Sequence, residues 1–253
     1  MTLWSAQAAP VAAVEYAPAS GLLSSVWLLV AIPLASAAIL LLLGRRADRW
    51  GHVLGVASVG IAFVLGLTYF FQLRGLENRS VELSLWEFIA VGSLNVDFGL
   101  LFDPLSAVFV LLITGVGFLI HLYAVEYMAH DPGRRRFFAY FNLFVAAMLL
   151  LVLGNNYVML YLGWEGVGLA SYLLISFWYN RPAAATAGKK AFLMNRVGDA
   201  GLALAIFLMF ATLGSTQYDE VFNGVSGLAA GTVLVMGLLL LLGATGKSGQ
   251  FPL

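Results

Sequence analysis

Tyr157-Val-Met-Leu-Tyr-Leu-Gly-Trp-Glu165-Gly-Val-Gly-Leu-Ala-Ser-Tyr-Leu-Leu-Ile-Ser-Phe-Trp178 is an apolar run of membrane-spanning length that carries a single charge, Glu165. A helix rises about 1.5 Å per residue, so Glu165 lies roughly 12 Å inside the run, near the middle of a hydrocarbon core about 30 Å thick. Lipid cannot solvate it there. A carboxylate at that depth costs several kcal/mol unless it faces protein, a partner charge or water, and such residues commonly mark proton or ion pathways.

The surrounding composition agrees with a membrane setting. Of 253 residues, 61% are hydrophobic and only 10% are charged, against about 25% charged in soluble domains. The fold class expected is an all-α integral membrane protein. Cysteine is absent and there are three scattered histidines, which excludes disulfides, thiolate zinc sites and ordinary iron–sulfur ligation and argues against a typical metal site. Redox chemistry within this chain is not expected. Formal net charge is zero, so nothing points to nucleic acid or another polyanion as a partner.

Working outward, six more runs approach the ~20 residues a span requires: 22–43, 53–73, 104–125, 137–153, 191–213, and one from about 226 through Leu238-Leu-Leu-Leu-Leu242. The first 20 residues are Ala- and Pro-rich, and their Ala-Gln-Ala lacks the preceding basic and apolar regions of a secretory cleavage site. Between the second and third runs, Val81-Glu-Leu-Ser-Leu-Trp86 and Leu94-Asn-Val-Asp-Phe98 alternate apolar and polar around Gly92-Ser93, the pattern of a short hairpin outside the bilayer. Asp103-Pro104 has the chemistry of a helix start, with aspartate as N-cap and proline first in the helix. In the seventh run, Gly243, Gly246 and Gly249 followed by Pro252 predict an unwound, broken segment, which membrane proteins tolerate where it is buried in protein or lines a cavity.

Basic residues fix the expected orientation. Arg45, Arg46, Arg49, Arg134, Arg135, Arg136, Arg181, Lys189 and Lys190 fall in alternate loops and make up nine of the thirteen Lys and Arg residues. The other loops hold Arg74 and Arg79. The asymmetry fits seven alternating spans with an external N-terminus.

Three more charges sit in or near the bilayer: Arg196, Asp199 and Lys247. Arg196 precedes Asp199 by three residues on one helix face, so that pair is read either as local structural neutralisation or as part of a pathway. Counted along a continuous helix, Lys247 reaches the cytoplasmic edge and snorkels; an unwound helix instead brings its ammonium into the polar layer. At ~10 Å separation and an effective dielectric of ~20, a Glu–Lys pair interacts by about 1.7 kcal/mol, enough for a modest movement to change which group holds a proton. Gly246-Lys247-Ser248 is not a phosphate loop, because Leu241 stands where that motif needs glycine. His121, Tyr123, Glu126 and Tyr127 are read as interfacial anchors.

Taken together, Phe102-Asp-Pro-Leu-Ser106, His121-Leu-Tyr-Ala-Val-Glu-Tyr-Met128, Arg136-Phe-Phe-Ala-Tyr-Phe-Asn-Leu-Phe144, Gly163-Trp-Glu-Gly-Val-Gly-Leu-Ala-Ser-Tyr-Leu-Leu-Ile175, Asn195-Arg-Val-Gly-Asp199 and Gly246-Lys-Ser-Gly-Gln-Phe-Pro-Leu253 resemble the large L-type antiporter-like subunit family of respiratory complex I, the bacterial NADH-quinone oxidoreductase. The chain is similar to mitochondrial subunit 5 and, more distantly, to the A subunit of Mrp-type sodium/proton antiporters. The likeness covers about residues 95–253.

The resemblance implies that Glu165 and Lys247 form a proton-channel pair with Asp199 nearby and Arg196 as a partner, and that Lys247 faces the interior. It implies a translocase role without a redox centre in this chain, with NADH, FMN, iron–sulfur clusters and quinone handled by other subunits. Neighbouring antiporter-like membrane subunits, lipid and protons are the implied partners, in a bacterial plasma membrane. Residues 1–103 would form two spans plus the hairpin, and 104–253 the first part of a proton-translocation domain. Members of the family continue through a second inverted repeat and a long amphipathic helix, so this chain is expected to be an N-terminal fragment or truncated product. The alternatives are an Mrp-type sodium/proton antiporter subunit and a non-functional fragment.

Overall fold

Apolar runs of this length become helices because lipid offers backbone N–H and C=O groups no partner outside the segment. The computed structural model describes residues 16–251 and 253; the remaining Ala- and Pro-rich residues 1–15, and Pro252, lie outside the described residues. In chain order the helices are α1 (Leu28–Leu42), α2 (Gly51–Arg74), α3 (Pro104–Tyr127), α4 (Arg134–Leu153), α5 (Tyr157–Ile175), α6 (Pro182–Leu213), the short α7 (Tyr218–Gly224) and α8 (Ala230–Ser248). Among the described residues, seven helices are long and apolar enough to cross a membrane, the first including the 3-10 turn Gly21–Ser25 ahead of α1.

A three-stranded sheet accompanies them, with β1 (Ala17–Pro18) parallel to β2 (Val81–Val91) and β2 antiparallel to β3 (Leu94–Phe102). Gly92 turns the hairpin at φ +61°, a conformation glycine adopts without a Cβ penalty. Both strands run further than the alternating pattern suggests. Leu100, Leu101 and Phe102 are all buried, so the end of β3 is apolar on both faces and loses its period-two signature. The start of α3 is as expected: the Asp103 carboxylate accepts from Ser106 N–H at 2.7 Å, and Asp103 N–H donates to Ser106 Oγ at 2.8 Å.

The connections gather at two ends. At the hairpin end, Asn155 N–H donates to Gly99 O, its side-chain amide donates to Glu82 at 2.6 Å, and Asn156 Nδ2 donates to Asp97 O. Tyr157 N–H donates to Thr216 O, so the α4–α5 turn ties the hairpin to the α6–α7 loop. At the other end, Arg135 bridges Asp48 at 2.8 Å and Leu40 O, while Arg136 donates to Phe177 O, joining the α1–α2, α3–α4 and α5–α6 connections. Hairpin and basic loops therefore mark opposite ends of the bundle, as alternating spans require.

Two expectations need correction. α6 begins at Pro182, not near residue 191, because the Ala-rich segment 182–187 is a strong helix former and its proline sits in the first turn. The expected unwinding from Gly243 does not occur: α8 is continuous through Gly243, Gly246 and Lys247 to Ser248 and stops at Gly249, φ +61°. The two internal glycines serve packing instead of a break. A Cβ at Gly246 would come within 2.9 Å of the Gly198 Cα, and one at Gly243 within 3.2 Å of Leu202 Cβ, so α8 lies almost backbone to backbone on α6.

Candidate proton-exchange site between α5, α6 and α8

The four charges singled out in the sequence meet where α5, α6 and α8 converge. Glu165 lies mid-way along α5, and its Oε2 is 2.6 Å from Arg196 Nη1 of α6. One turn on, Asp199 is the most enclosed of the four, with a side chain 4% exposed; its Oδ1 accepts a 2.7 Å hydrogen bond from the Trp164 indole of α5. Lys247 Nζ of α8 stands 3.9 Å from the same Oδ1 and 5.6 Å from the Trp164 ring centroid. Two acidic and two basic side chains thus form one neutral cluster on three helices.

The pairing differs from the sequence expectation. Arg196 reaches across to Glu165 and makes no ion pair with Asp199, its neighbour on α6. Glu165 and Lys247 do not touch, since neither appears among the other's ion-pair partners within 4.0 Å. A long side chain explains the exchange: the Arg196 guanidinium lies over Phe192 at 4.6 Å and reaches Glu165 of α5, while the shorter Asp199 carboxylate sits between Trp164 of α5 and Lys247 of α8.

Space and unsatisfied groups define what this cluster can do. Among the described residues, Glu165 Oε1 and Lys247 Nζ are enclosed with no hydrogen bond of good geometry, and the Tyr161 hydroxyl lies against the Glu165 carboxylate. Gly168 provides the room for the lysine, because a Cβ there would lie 2.6 Å from Nζ. A cavity of about 670 Å³ runs beside it, lined among others by Trp164, Ser171, Lys190, Asn195 and Lys247, from the basic end of α6 to the buried ammonium. Arginine keeps its proton. Glu165, Asp199 and Lys247 are the groups that can exchange one.

Sequence reasoning gave these four charges, and read Gly163, Gly166 and Gly168 as permitting close packing or water entry beside Glu165, but assigned no role to Trp164, whose indole holds Asp199. It misplaced His121, read as an interfacial anchor: the ring is fully buried, its Nδ1–H donates to Gly117 O at 2.7 Å, and it stacks on Phe141 at 4.0 Å. Tyr123 and Tyr127 are exposed, as anchors should be. At the hairpin end a cavity of about 390 Å³ is lined by Tyr16, Tyr157 and Tyr218. Burial first, then neighbouring acidic groups, push the Tyr16 and Tyr218 hydroxyls above their ordinary range, so both keep their protons near neutrality.

Residues 86–138 match the family model of the NADH-ubiquinone oxidoreductase (complex I) chain 5 N-terminus, and residues 154–253 match the NADH:quinone oxidoreductase/Mrp antiporter transmembrane family. NADH-quinone oxidoreductase subunit L of Mycobacterium tuberculosis is 58% identical over 229 residues, 90% of this chain and 36% of the relative. The chain belongs to the complex I/Mrp antiporter-like family. The subunit L of Escherichia coli, another antiporter-like member, is 44% identical over 215 residues, 83% of this chain and 35% of that protein. In the solved Mrp complex from Dietzia, one chain superposes with a TM-score of 0.76 at 27% identity, covering 90% of this chain and 24% of that one. The chain spans about a third of the length of the curated antiporter-like relatives it matches.

Proposed function

We propose that this chain is the first part of a membrane subunit of a proton-pumping NADH:quinone oxidoreductase, and that Glu165, Asp199 and Lys247 are its proton relay with Arg196 as their charge partner. NADH, FMN, iron–sulfur clusters and quinone would be handled by other subunits, with this chain embedded in a bacterial plasma membrane among antiporter-like neighbours, N-terminus outside. The observation that carries the proposal is the crossed pairing of four charges on three spans, with Asp199 buried and the Lys247 ammonium enclosed without a hydrogen bond among the described residues.

The pairing suggests how a proton moves. With Lys247 charged, Asp199 is balanced by it and Arg196 is held on Glu165. Loss of the Lys247 proton leaves Asp199 unbalanced and draws Arg196 back toward it, three residues away on α6. Glu165 then lacks its cation and takes up a proton. Moving a unit charge from ~4 to ~8 Å at an effective dielectric of ~20 changes such a balance by about 2 kcal/mol, roughly thirtyfold in protonation. Conformational or electrostatic changes driven by quinone chemistry would supply the trigger.

The test is Glu165→Gln in the full-length subunit, with proton pumping measured beside NADH oxidation by an artificial acceptor. Lost pumping with retained oxidation supports the relay; unchanged pumping removes Glu165 from it. A second reading, sodium/proton exchange as an Mrp-type subunit, is favoured by the superposition on the Mrp complex. Proton movement that requires sodium and is indifferent to quinone would select it.

A further inference from the structure

At the basic end, between the α3–α4 and α5–α6 connections, lies a cavity of about 430 Å³ that takes no part in the relay; we propose that it binds the phosphodiester headgroup of an anionic phospholipid. Two arginines face it. Arg136 is clamped between the rings of Phe177 and Tyr179, with Cζ 4.9 and 5.0 Å from their centroids, and donates through Nη2 to Phe177 O. Its Nε–H is enclosed and has no partner. Arg181 lies 4.9 Å over the Trp178 ring, with no acidic partner within 4.0 Å among the described residues.

Charge balance selects the ligand. Arg135 also lines the cavity but is matched by Asp48. Asp131 is already occupied: Oδ1 accepts from Gly133 N–H at 2.6 Å and Oδ2 from the Trp178 indole at 2.9 Å. Arg136 and Arg181 against Asp131 leave one formal positive charge, which a singly charged phosphodiester neutralises and a dianionic phosphate exceeds. Guanidinium N–H groups held by ring stacking are well suited to phosphate oxygens, and basic pockets between spans on the basic side of a membrane protein have the chemistry for anionic headgroups. Acyl chains have a path as well: Ile175, one turn from Tyr179, and Trp178 itself are exposed.

The experiment uses the complete subunit within its complex, in phosphatidylcholine vesicles containing a photoreactive phosphatidylglycerol, with labelled peptides mapped by mass spectrometry. Labelling is expected in 131–136 and 177–181, reduced by about tenfold in R136Q/R181Q, the scale of losing charge-assisted hydrogen bonds. R181Q alone, at an exposed residue, guards against a folding defect and is expected to lower labelling several-fold. Unlabelled phosphatidylglycerol should compete, and phosphatidylcholine and inorganic phosphate should not. Competition by inorganic phosphate, labelling untouched by either variant, or an equal loss in R45Q/R49Q elsewhere on the basic end would each overturn the assignment.

Discussion

Two buried polar regions sit side by side in this bundle and are built on opposite principles. Between α2, α3 and α4, the Ser58 hydroxyl donates to Asn142 Oδ1 at 2.5 Å, and Asn142 Nδ2 donates to Phe138 O and to His121 Nε2. Every member of that chain is neutral, fully buried and provided with a partner. Between α5, α6 and α8, the four groups are ionisable, two of their atoms make no hydrogen bond of good geometry among the described residues, and a cavity reaches the lysine. A satisfied neutral network rigidifies a core, whereas an under-satisfied charged one has somewhere to move. On the proposed relay, the first region is a fastening and the second a working part.

The widest separation between them should come from Lys247→Met, which leaves Asp199 without its cation. Proton pumping by the full-length subunit is expected to fall by at least about tenfold while NADH oxidation with an artificial acceptor persists; pumping at the ordinary rate would make the two regions equivalent. The converse change, Asn142→Leu, removes an acceptor from Ser58 and a donor from His121. Ser58 keeps Gly55 O at 2.9 Å, but leaving His121 Nε2 buried without a donor costs about 1–3 kcal/mol, so the thermal midpoint should drop while pumping per folded complex stays unchanged. A smaller and more diagnostic effect is expected of Gly168→Ala. The added methyl displaces the Lys247 ammonium without removing any charge, lowering pumping several-fold at nearly unaltered stability, with Gly237→Ala on the open face of α8 as a silent control.

Much of this contrast was legible in the sequence, and the reasons for the rest are physical. A lone Glu165 in an apolar run announces itself because lipid has no alternative for it, and Asp103-Pro104 marks a helix start through local chemistry alone. Partner choice is not local. Arg196 and Asp199 are three apart on one helix, yet packing against α5 sends one to Glu165 and opposing α8 takes the other. Gly243 and Gly246 look like breakers in sequence because propensity counts only the helix they belong to. Against the equally bare Gly198 they become a contact surface, and the helix persists to Gly249. His121 shows the same limit: its position near a span end suggested the interface, and only the facing Asn142 reveals a core residue.

The central claim is that Glu165 and Lys247, which do not touch, exchange influence through Arg196 and Asp199. Infrared difference spectroscopy of the full-length subunit, following the protonated-carboxyl band that Glu165→Gln abolishes, tests it most directly. In Lys247→Met that band is expected to appear at distinctly higher pH than in the unaltered protein, because Arg196 turns to Asp199 and releases Glu165. A band that titrates identically in both proteins would contradict the coupling.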